Sequence, residues 1–246
     1  MTTFDGVTLL TGASGGLGVG ITKELLSAGV KNIACQYNNN FAEIASVLES
    51  AGLDPKDHLF QADLSSEEQV KSLRANIEEK LGGVQNLINL AGGSTNGVVW
   101  KLSFEDYQKV MNLNMTSTFL CCREFVPFMR EQKYGRIVNV SSIVASRGAA
   151  GASHYAASKA AIEGFSKSIS LELARNNICV NALALGYMDT GIINEVPEKI
   201  RDELVSNTPR QRLGSPTDVA KVLNYLLDPK NDFVTGQVFH VNGGLY

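Results

Sequence analysis

The chain has 246 residues, 44% of them apolar and 19% charged, with a formal charge of −3 and an isoelectric point near 5.7. This balance can build a sizeable core, so the fold needs no metal or disulfide. There is no Lys/Arg run or basic stripe, which excludes the footprint of a nucleic-acid binder, and no apolar stretch reaches the roughly 20 residues of a membrane-spanning helix.

Short apolar runs alternate with segments of helical period. VTLLTG (7–12) reads as a strand and Leu17 to Ala28 as a helix. The strand NIACQY (32–37) precedes a helix from Phe41 to Ala51, and a strand from His58 to Ala62 precedes a helix from Ser66 to Leu81. NLINLAG (86–92) is strand-like, and a long helix follows from Phe104 to Arg130. GRIVNVSS (135–142) is a strand, His154 to Asn176 a helix and ICVNALA (178–184) a strand. Helical segments at Glu198–Ser206 and Thr217–Leu227 lead to a last strand, QVFHVNGG (237–244).

This alternation predicts an α/β fold: a doubly wound parallel sheet of about seven strands with helices on both faces. Near-continuous apolar strands agree, because such strands are buried on both sides. No repeat, low-complexity tract or linker interrupts the pattern, so residues 1–246 read as a single domain. The N-terminus lacks the basic segment, apolar stretch and cleavage site of a secretory leader. Cys35, Cys121, Cys122 and Cys179 form no C-x-x-C pair and have no His partners at zinc spacing, so no metal site is expected. They read as reduced thiols packed in a cytoplasmic protein.

TGASGGLG lies between the first strand and the first helix. Gly12, Gly16 and Gly18 fall where backbone must approach a phosphate, and Ser14, Gly15 and Leu17 complete the turn. The helix N-terminus beyond offers free N–H groups to a pyrophosphate. The spacing G-x-x-x-G-x-G is not the usual dinucleotide fingerprint, and alone it also fits a turn with no ligand. In open α/β sheets the ligand sits beyond the carboxyl ends of the strands. Asp63 and Leu64 stand at such ends, as do Asn89 to Gly92 with Ala91, Ser141 and Ser142, and Gly186 to Thr190 with Met188.

Tyr155 and Lys159 are four apart on a predicted helix and share a face. A phenol with a pKa of about 10 is a poor acid–base group at neutral pH, and a neighbouring ammonium is expected to lower it. Such a pair could protonate the alkoxide formed when a carbonyl is reduced, with Ser142 donating to the carbonyl oxygen. By itself, Tyr-x-x-x-Lys is a common surface pair.

The order of the other motifs decides the matter. Over essentially its whole length the chain resembles the short-chain dehydrogenase/reductase family. Thr11-Gly12-x-x-x-Gly16-x-Gly18 matches the family's cofactor loop, and Asn89-x-Ala91-Gly92 most of its N-N-A-G segment. Asn114 in VMNLNMTS matches the helix asparagine of the family's catalytic tetrad, Ser142 precedes Tyr155 by thirteen residues, and Asn181 matches the following V-N. GRIVNVSS, YAASKAAIEGFSKS and VTGQVFHVNGG resemble the 3-oxoacyl-acyl-carrier-protein reductases in particular.

The resemblance implies a Rossmann-type fold and the catalytic set Asn114, Ser142, Tyr155 and Lys159. It implies reduction of a 3-oxoacyl thioester, on acyl-carrier protein or coenzyme A, as in fatty-acid biosynthesis. Asn114 would hold a water linking Lys159 to solvent, and Lys159 would also bind the nicotinamide ribose. A mobile substrate lid is expected at about 187–208, with Met188 and Thr190 facing the nicotinamide, and a homotetramer built on the fourth and fifth long helices. Lys133 and Arg175 match positions where such reductases meet acidic carrier protein.

Three positions depart from the family pattern: Leu90 for the second asparagine of N-N-A-G, Leu185 for a proline before Gly186, and Gln85 for an aspartate near the fourth strand. Gln85 is expected to weaken support for the adenine pocket, and Leu185 to free a turn. At the end of the second strand, where an NAD enzyme places an acid, stands Tyr37. Ser14 and Asn38 could hydrogen-bond a 2′-phosphate without charge, although Gly15 takes a position where many NADPH users carry Arg; NADP(H) is preferred over NAD(H). His154 reads as a packing or rim residue, His58 and His240 as structural strand residues, and Trp100 as a substrate-side, core or interface hydrophobe. Two alternatives stand beside the leading reading: a dehydrogenase of another alcohol, sugar or ketone, and a non-catalytic dinucleotide sensor.

Overall fold

A computed structural model of the protein describes residues 6–191, 193 and 197–246. Seven strands form one parallel sheet: β1 (Val7–Leu10), β2 (Ile33–Tyr37), β3 (Leu59–Gln61), β4 (Val84–Asn89), β5 (Gly135–Ser142), β6 (Ile178–Leu185) and β7 (Val238–Val241). Their spatial order is β3-β2-β1-β4-β5-β6-β7. The chain reverses direction across the sheet at β1, which pairs with β2 on one side and β4 on the other. The connections leaving β1 and β4 therefore diverge to opposite faces and open a crevice beyond their carboxyl ends.

Successive strand residues feed opposite layers, as the two-residue period of a strand requires. Leu10, Cys35, Val138 and Leu183 pack with α1 (Gly16–Ser27), α2 (Ala42–Ser50) and α10 (Pro216–Leu227) through Val19, Ile44 and Val219. Leu9, Ala34, Ile137 and Val180 pack with α4 (Glu67–Lys80), α6 (Ser117–Gln132) and α8 (Ser153–Leu173) through Leu73, Phe125 and Ile169. β5 and β6 are buried along all their residues.

Local chemistry sets where helices begin. The Ser66 hydroxyl accepts the Gln69 N–H at the start of α4, and Ser103 does the same for Asp106 at the start of α5 (Phe104–Met111). α1 starts at Gly15 with no side-chain cap, which leaves its first N–H groups for another acceptor.

Three predicted elements are redrawn. His58 ends a helical turn, α3 (Pro55–His58), and its ring Nδ1 lies 2.7 Å from the Ile33 carbonyl, so it is a bridge to β2 rather than a strand residue. The long helix after Phe104 is broken by a π turn at Asn112–Thr116 between α5 and α6. A short helix, α7 (Val144–Arg147), precedes α8, which ends in a 3₁₀ turn at Ala174–Asn176. Of the expected lid, α9 (Glu198–Asn207) is seen, while residues 192 and 194–196 lie outside the described residues.

Candidate active site

The glycine loop forms a cradle lined mainly by backbone. Gly12 has φ +67°, and its N–H donates to Gln36 Oε1 at 2.8 Å. The same Gln36 amide donates to the Ala62 carbonyl at 2.7 Å, tying the ends of β1, β2 and β3 together. A Cβ at Gly18 would fall on the Gly12 carbonyl, and one at Gly16 on Thr190 Oγ1. Gly15 and Gly16 are exposed at the uncapped start of α1, with Ser14 and Leu17 half-buried beside them. Free N–H groups at a helix start, with no Cβ in the way and Thr190 opposite, fit a dinucleotide pyrophosphate.

The other expected binding residues line the same edge of the sheet. Tyr37 ends β2, its ring 5.2 Å from that of Phe41, and Asn38 beyond it is exposed. Asp63 accepts the Ser65 N–H and hydroxyl at 2.9 and 2.7 Å, and Leu64 is buried next to it. Thr11 Oγ1 accepts the N–H groups of Leu90 and Ala91, both at 3.0 Å, and so holds the end of β4 against β1. Gly186 abuts Asn242, and the Met188 side chain is buried against Gly214. The Asn89 amide turns into the sheet, where Nδ2 donates to Asn139 Oδ1 at 2.8 Å.

Ser142, Tyr155, Lys159 and Asn114 converge from β5, α8 and the π turn. The Ser142 hydroxyl accepts the Val144 N–H at 3.4 Å and acts on the Tyr155 phenol in the sense that favours its phenolate. Lys159 is buried, donates from Nζ to the Val140 carbonyl at 2.9 Å, and lies 5.7 Å from the Tyr155 ring centre. Asn114 is fully buried and clasps Gly93: Nδ2 donates to the Gly93 carbonyl at 2.8 Å and Oδ1 accepts its N–H at 3.2 Å. Nδ2 also donates to the Val110 carbonyl at 2.9 Å, so the side chain serves a carbonyl inside its own helix where the ladder loosens. A Cβ at Gly92 would overlap Asn114 Oδ1 and stand 3.2 Å from Lys159 Nζ.

Electrostatics correct one expectation. The Tyr155 phenol is held above its ordinary value of 10.0, because burial of the phenolate outweighs the opposing influence of Ser142. Lys159 does not reverse this: burial brings its own ammonium down to about 8. The geometry therefore presents a protonated phenol, the form that can donate.

Other residues fall elsewhere than expected. Gln85 enters β4 and packs on Gly6 before β1, at the amino end of the sheet, so it does not border an adenine pocket. Leu185 does not loosen a turn; it ends β6 as a buried core residue, its carbonyl accepting the Ile143 N–H at 2.8 Å. Lys133 follows α6 and Arg175 follows α8, both at the amino ends of the strands. β5 spans about 25 Å, so on this chain neither borders the cleft at Tyr155. Trp100 is 78% exposed and belongs to no core. His240 lies in β7 as expected, its ring 5.1 Å from that of Tyr246.

Gln36 escaped the sequence reading altogether, as did the tie that Thr11 makes to the end of β4 and the pairing of Asn89 with Asn139. Each works through a partner at least 24 positions away, which no local pattern discloses.

A reversal in the strand order, a backbone-lined cradle beside it and a hydroxyl–hydroxyl–ammonium cluster at the same edge define a dinucleotide-dependent oxidoreductase. Comparison with known proteins agrees. The profile of a family described as Enoyl-(Acyl carrier protein) reductase matches residues 12–246. A 3-oxoacyl-acyl-carrier-protein reductase of Thermotoga maritima is 35% identical over 239 residues, 97% of this chain and 97% of its own length. An acetoacetyl-CoA reductase of an Acinetobacter species is 36% identical over 244 residues, 98% and 97% of the two chains. Nodulation protein G of a Rhizobium species is 35% identical over 237 residues, 96% and 95%. The chain belongs to the short-chain dehydrogenase/reductase family, and its cofactor is a nicotinamide dinucleotide.

Proposed function

We propose that the protein reduces a 3-oxoacyl thioester, carried on acyl-carrier protein or coenzyme A, to the 3-hydroxyacyl thioester with NADP(H). The observation that carries this is the convergence of Tyr155 and buried Lys159 beside Gly92, with Lys159 Nζ 5.7 Å from the Tyr155 ring centre and 3.2 Å from where a Gly92 Cβ would stand. The names of the Thermotoga and Acinetobacter relatives support the thioester class.

When bound, a nicotinamide would supply hydride chemistry at this site, and the chain's own residues would handle the proton and the developing charge. Ser142 donates a hydrogen bond to the carbonyl oxygen as charge builds there. Tyr155 transfers its phenolic proton to that oxygen. The phenolate left behind is stabilised by the Lys159 ammonium, and Asn114 clasps Gly93 beside it and would hold the water of the return proton path through Oδ1, since Nδ2 serves the Gly93 and Val110 carbonyls. Gly12, Ser14, Gly15, Gly16, Leu17 and Gly18 would hold the pyrophosphate. Tyr37 and Asn38 would take the adenosine ribose, and Asp63 and Leu64 the adenine. Asn89, Ala91 and Gly92 would line the ribose, with Tyr155 and Lys159. Gly186, Met188 and Thr190 would hold the nicotinamide end. Tyr37 offers no carboxylate to a 2′-hydroxyl, while Ser14 and Asn38 can serve a 2′-phosphate, which favours NADP(H). Residues 187–208 act as the substrate lid of one domain, in a cytoplasmic homotetramer.

Steady-state assays of acetoacetyl-CoA with NADPH and NADH test the reading, with crotonyl-CoA and a panel of sugars and cyclic ketones alongside. The expected result is acetoacetyl reduction with the lower KM for NADPH, and a loss of about 10²–10⁴-fold in Tyr155→Phe. Turnover only of crotonyl-CoA or of the sugar and ketone panel overturns the substrate; undiminished activity in Tyr155→Phe overturns the mechanism.

A further inference from the structure

The segment after β4 alternates in burial. Gly93, Thr95 and Gly97 are half-buried, whereas Gly92, Ser94 and Asn96 are exposed. Each inward residue is held by a different part of the catalytic apparatus. Asn114 clasps Gly93, the Gly97 N–H donates to the Gly151 carbonyl at 2.9 Å just before α8, and Thr95 Oγ1 lies 3.0 Å from His154 Nε2. His154 is the residue before Tyr155 and is 2% exposed. Among the described residues its other ring nitrogen, Nδ1, is buried with no partner, and the Thr95 hydroxyl is the one hydrogen-bonding anchor of the imidazole. A buried polar ring with a single bond is retained at a cost, and that bond joins the segment beside Gly92 to the first turn of the catalytic helix.

We propose that His154 is a positioning residue: through Thr95 it clamps residues 93–97 onto α8 and so sets the distance between the cleft wall and the Tyr155 phenol. At 2% exposure His154 offers almost no surface to a ligand. The middle of the three attachments is the only one made by two side chains, and it lies nearest in sequence to Tyr155. Its loss leaves the segment held at its two ends and free to bow outward. The kinetic arm rests on the proposed reduction; a spectroscopic arm does not. The chain has a single tryptophan, Trp100, in the same connection and 78% exposed, so its fluorescence reports the order of this segment directly.

The full-length protein is compared with His154→Ala, Thr95→Val, the double variant and His154→Gln, by acetoacetyl-CoA kinetics and by Trp100 anisotropy with acrylamide quenching. His154→Ala and Thr95→Val should each lower kcat/KM roughly tenfold, the worth of one buried hydrogen bond, mainly through KM. Both should lower Trp100 anisotropy, and the double variant should be no worse than either single one. His154→Gln, which can place an amide near the Nε2 position, should recover most of both readouts. Unchanged anisotropy in Thr95→Val, a variant that keeps the side-chain volume and should fold, overturns the clamp. Additive losses in the double variant overturn it too. Absence of acetoacetyl turnover in the unaltered protein overturns the substrate reading, while the anisotropy series still decides the clamp.

Discussion

Lys159 holds its charge almost out of reach of water, with 4% of its surface exposed and the Val140 carbonyl as a hydrogen-bond acceptor 2.9 Å away. Burial lowers its pKa from 10.5 to about 8. The ammonium proposed to stabilise the Tyr155 phenolate is therefore present below about pH 8 and lost above it. The kcat/KM for reduction should fall as pH rises through about 8. In Lys159→Arg the fall should move to higher pH, because a guanidinium stays protonated. A flat profile to pH 10 would separate Lys159 from the chemistry. Stability has the opposite sign: between about 8 and 10.5 the unfolded chain binds a proton that the folded chain does not, so folding gains as pH rises through that window. Gly92 makes a second residue-level test. Gly92→Ala must displace Asn114, which is clasped to Gly93 and cannot yield cheaply. Activity should drop by about 10²-fold, since misplacement of about 1 Å can cost that much, with the melting temperature changed far less. Wild-type kinetics in this variant would show that the clasp tolerates displacement. The pair Tyr155–Lys159 was legible in the sequence only together with the motifs around it; its pKa shifts were not, because desolvation depends on what packs around the pair.

At the scale of elements, the helix that carries the glycine loop is braced by another. α10 packs on α1, with Pro216 against Gly20 and the Thr217 hydroxyl donating to Glu24 Oε1 at 2.7 Å. α10 in turn depends on its capping box: Ser215 Oγ accepts the Asp218 N–H at 3.3 Å, and Asp218 Oδ2 accepts the Ser215 N–H at 2.9 Å. Arg212 grips the same carboxylate at 2.6 and 2.9 Å and holds its pKa well below the ordinary 3.8. That contribution is complete above the ordinary carboxylate range and is lost as pH falls below it. Asp218→Ala should cost about 1–2 kcal/mol in urea unfolding at neutral pH, with a smaller difference in acid, and should weaken cofactor binding modestly. An equal cost at every pH would mean that the carboxylate charge is not what caps the helix. The seven strands and the long helices were readable from apolar period and the Gly-rich turns. The π turn at Asn112–Thr116 was not: its helical period continues unbroken, and only the Asn114 side chain and its reach to Gly93 mark the break.

Across the whole molecule, the candidate site and the buried supports occupy opposite ends of the parallel sheet. The carboxyl ends of the strands carry the glycine cradle and the proposed catalytic cluster. The amino ends carry supports such as Arg136, which is wholly buried. Its guanidinium donates to the carbonyls of Gly135, Asn177 and Pro229 at 2.9, 3.2 and 3.0 Å and lies over the Tyr134 ring, joining the start of β5 to the turns before β6 and β7. Arg136→Met should strip buried carbonyls of their donor and cost roughly 3 kcal/mol in unfolding free energy, with kcat unchanged well below the melting temperature. Unaltered stability would mean that water replaces the guanidinium.

What the sequence by itself determined was the α/β alternation and the glycine loop, because period and turn chemistry are local properties of the chain; the set Asn114, Ser142, Tyr155 and Lys159 was legible through its resemblance to the family's motifs. Only the tertiary structure decided that Gln85, Lys133 and Arg175 stand at the far end of the sheet, that Leu185 joins the core, and that burial lifts the Tyr155 phenol while lowering the Lys159 ammonium. Those outcomes depend on which groups are brought together and how much water they exclude. Neighbours far apart in the chain set both.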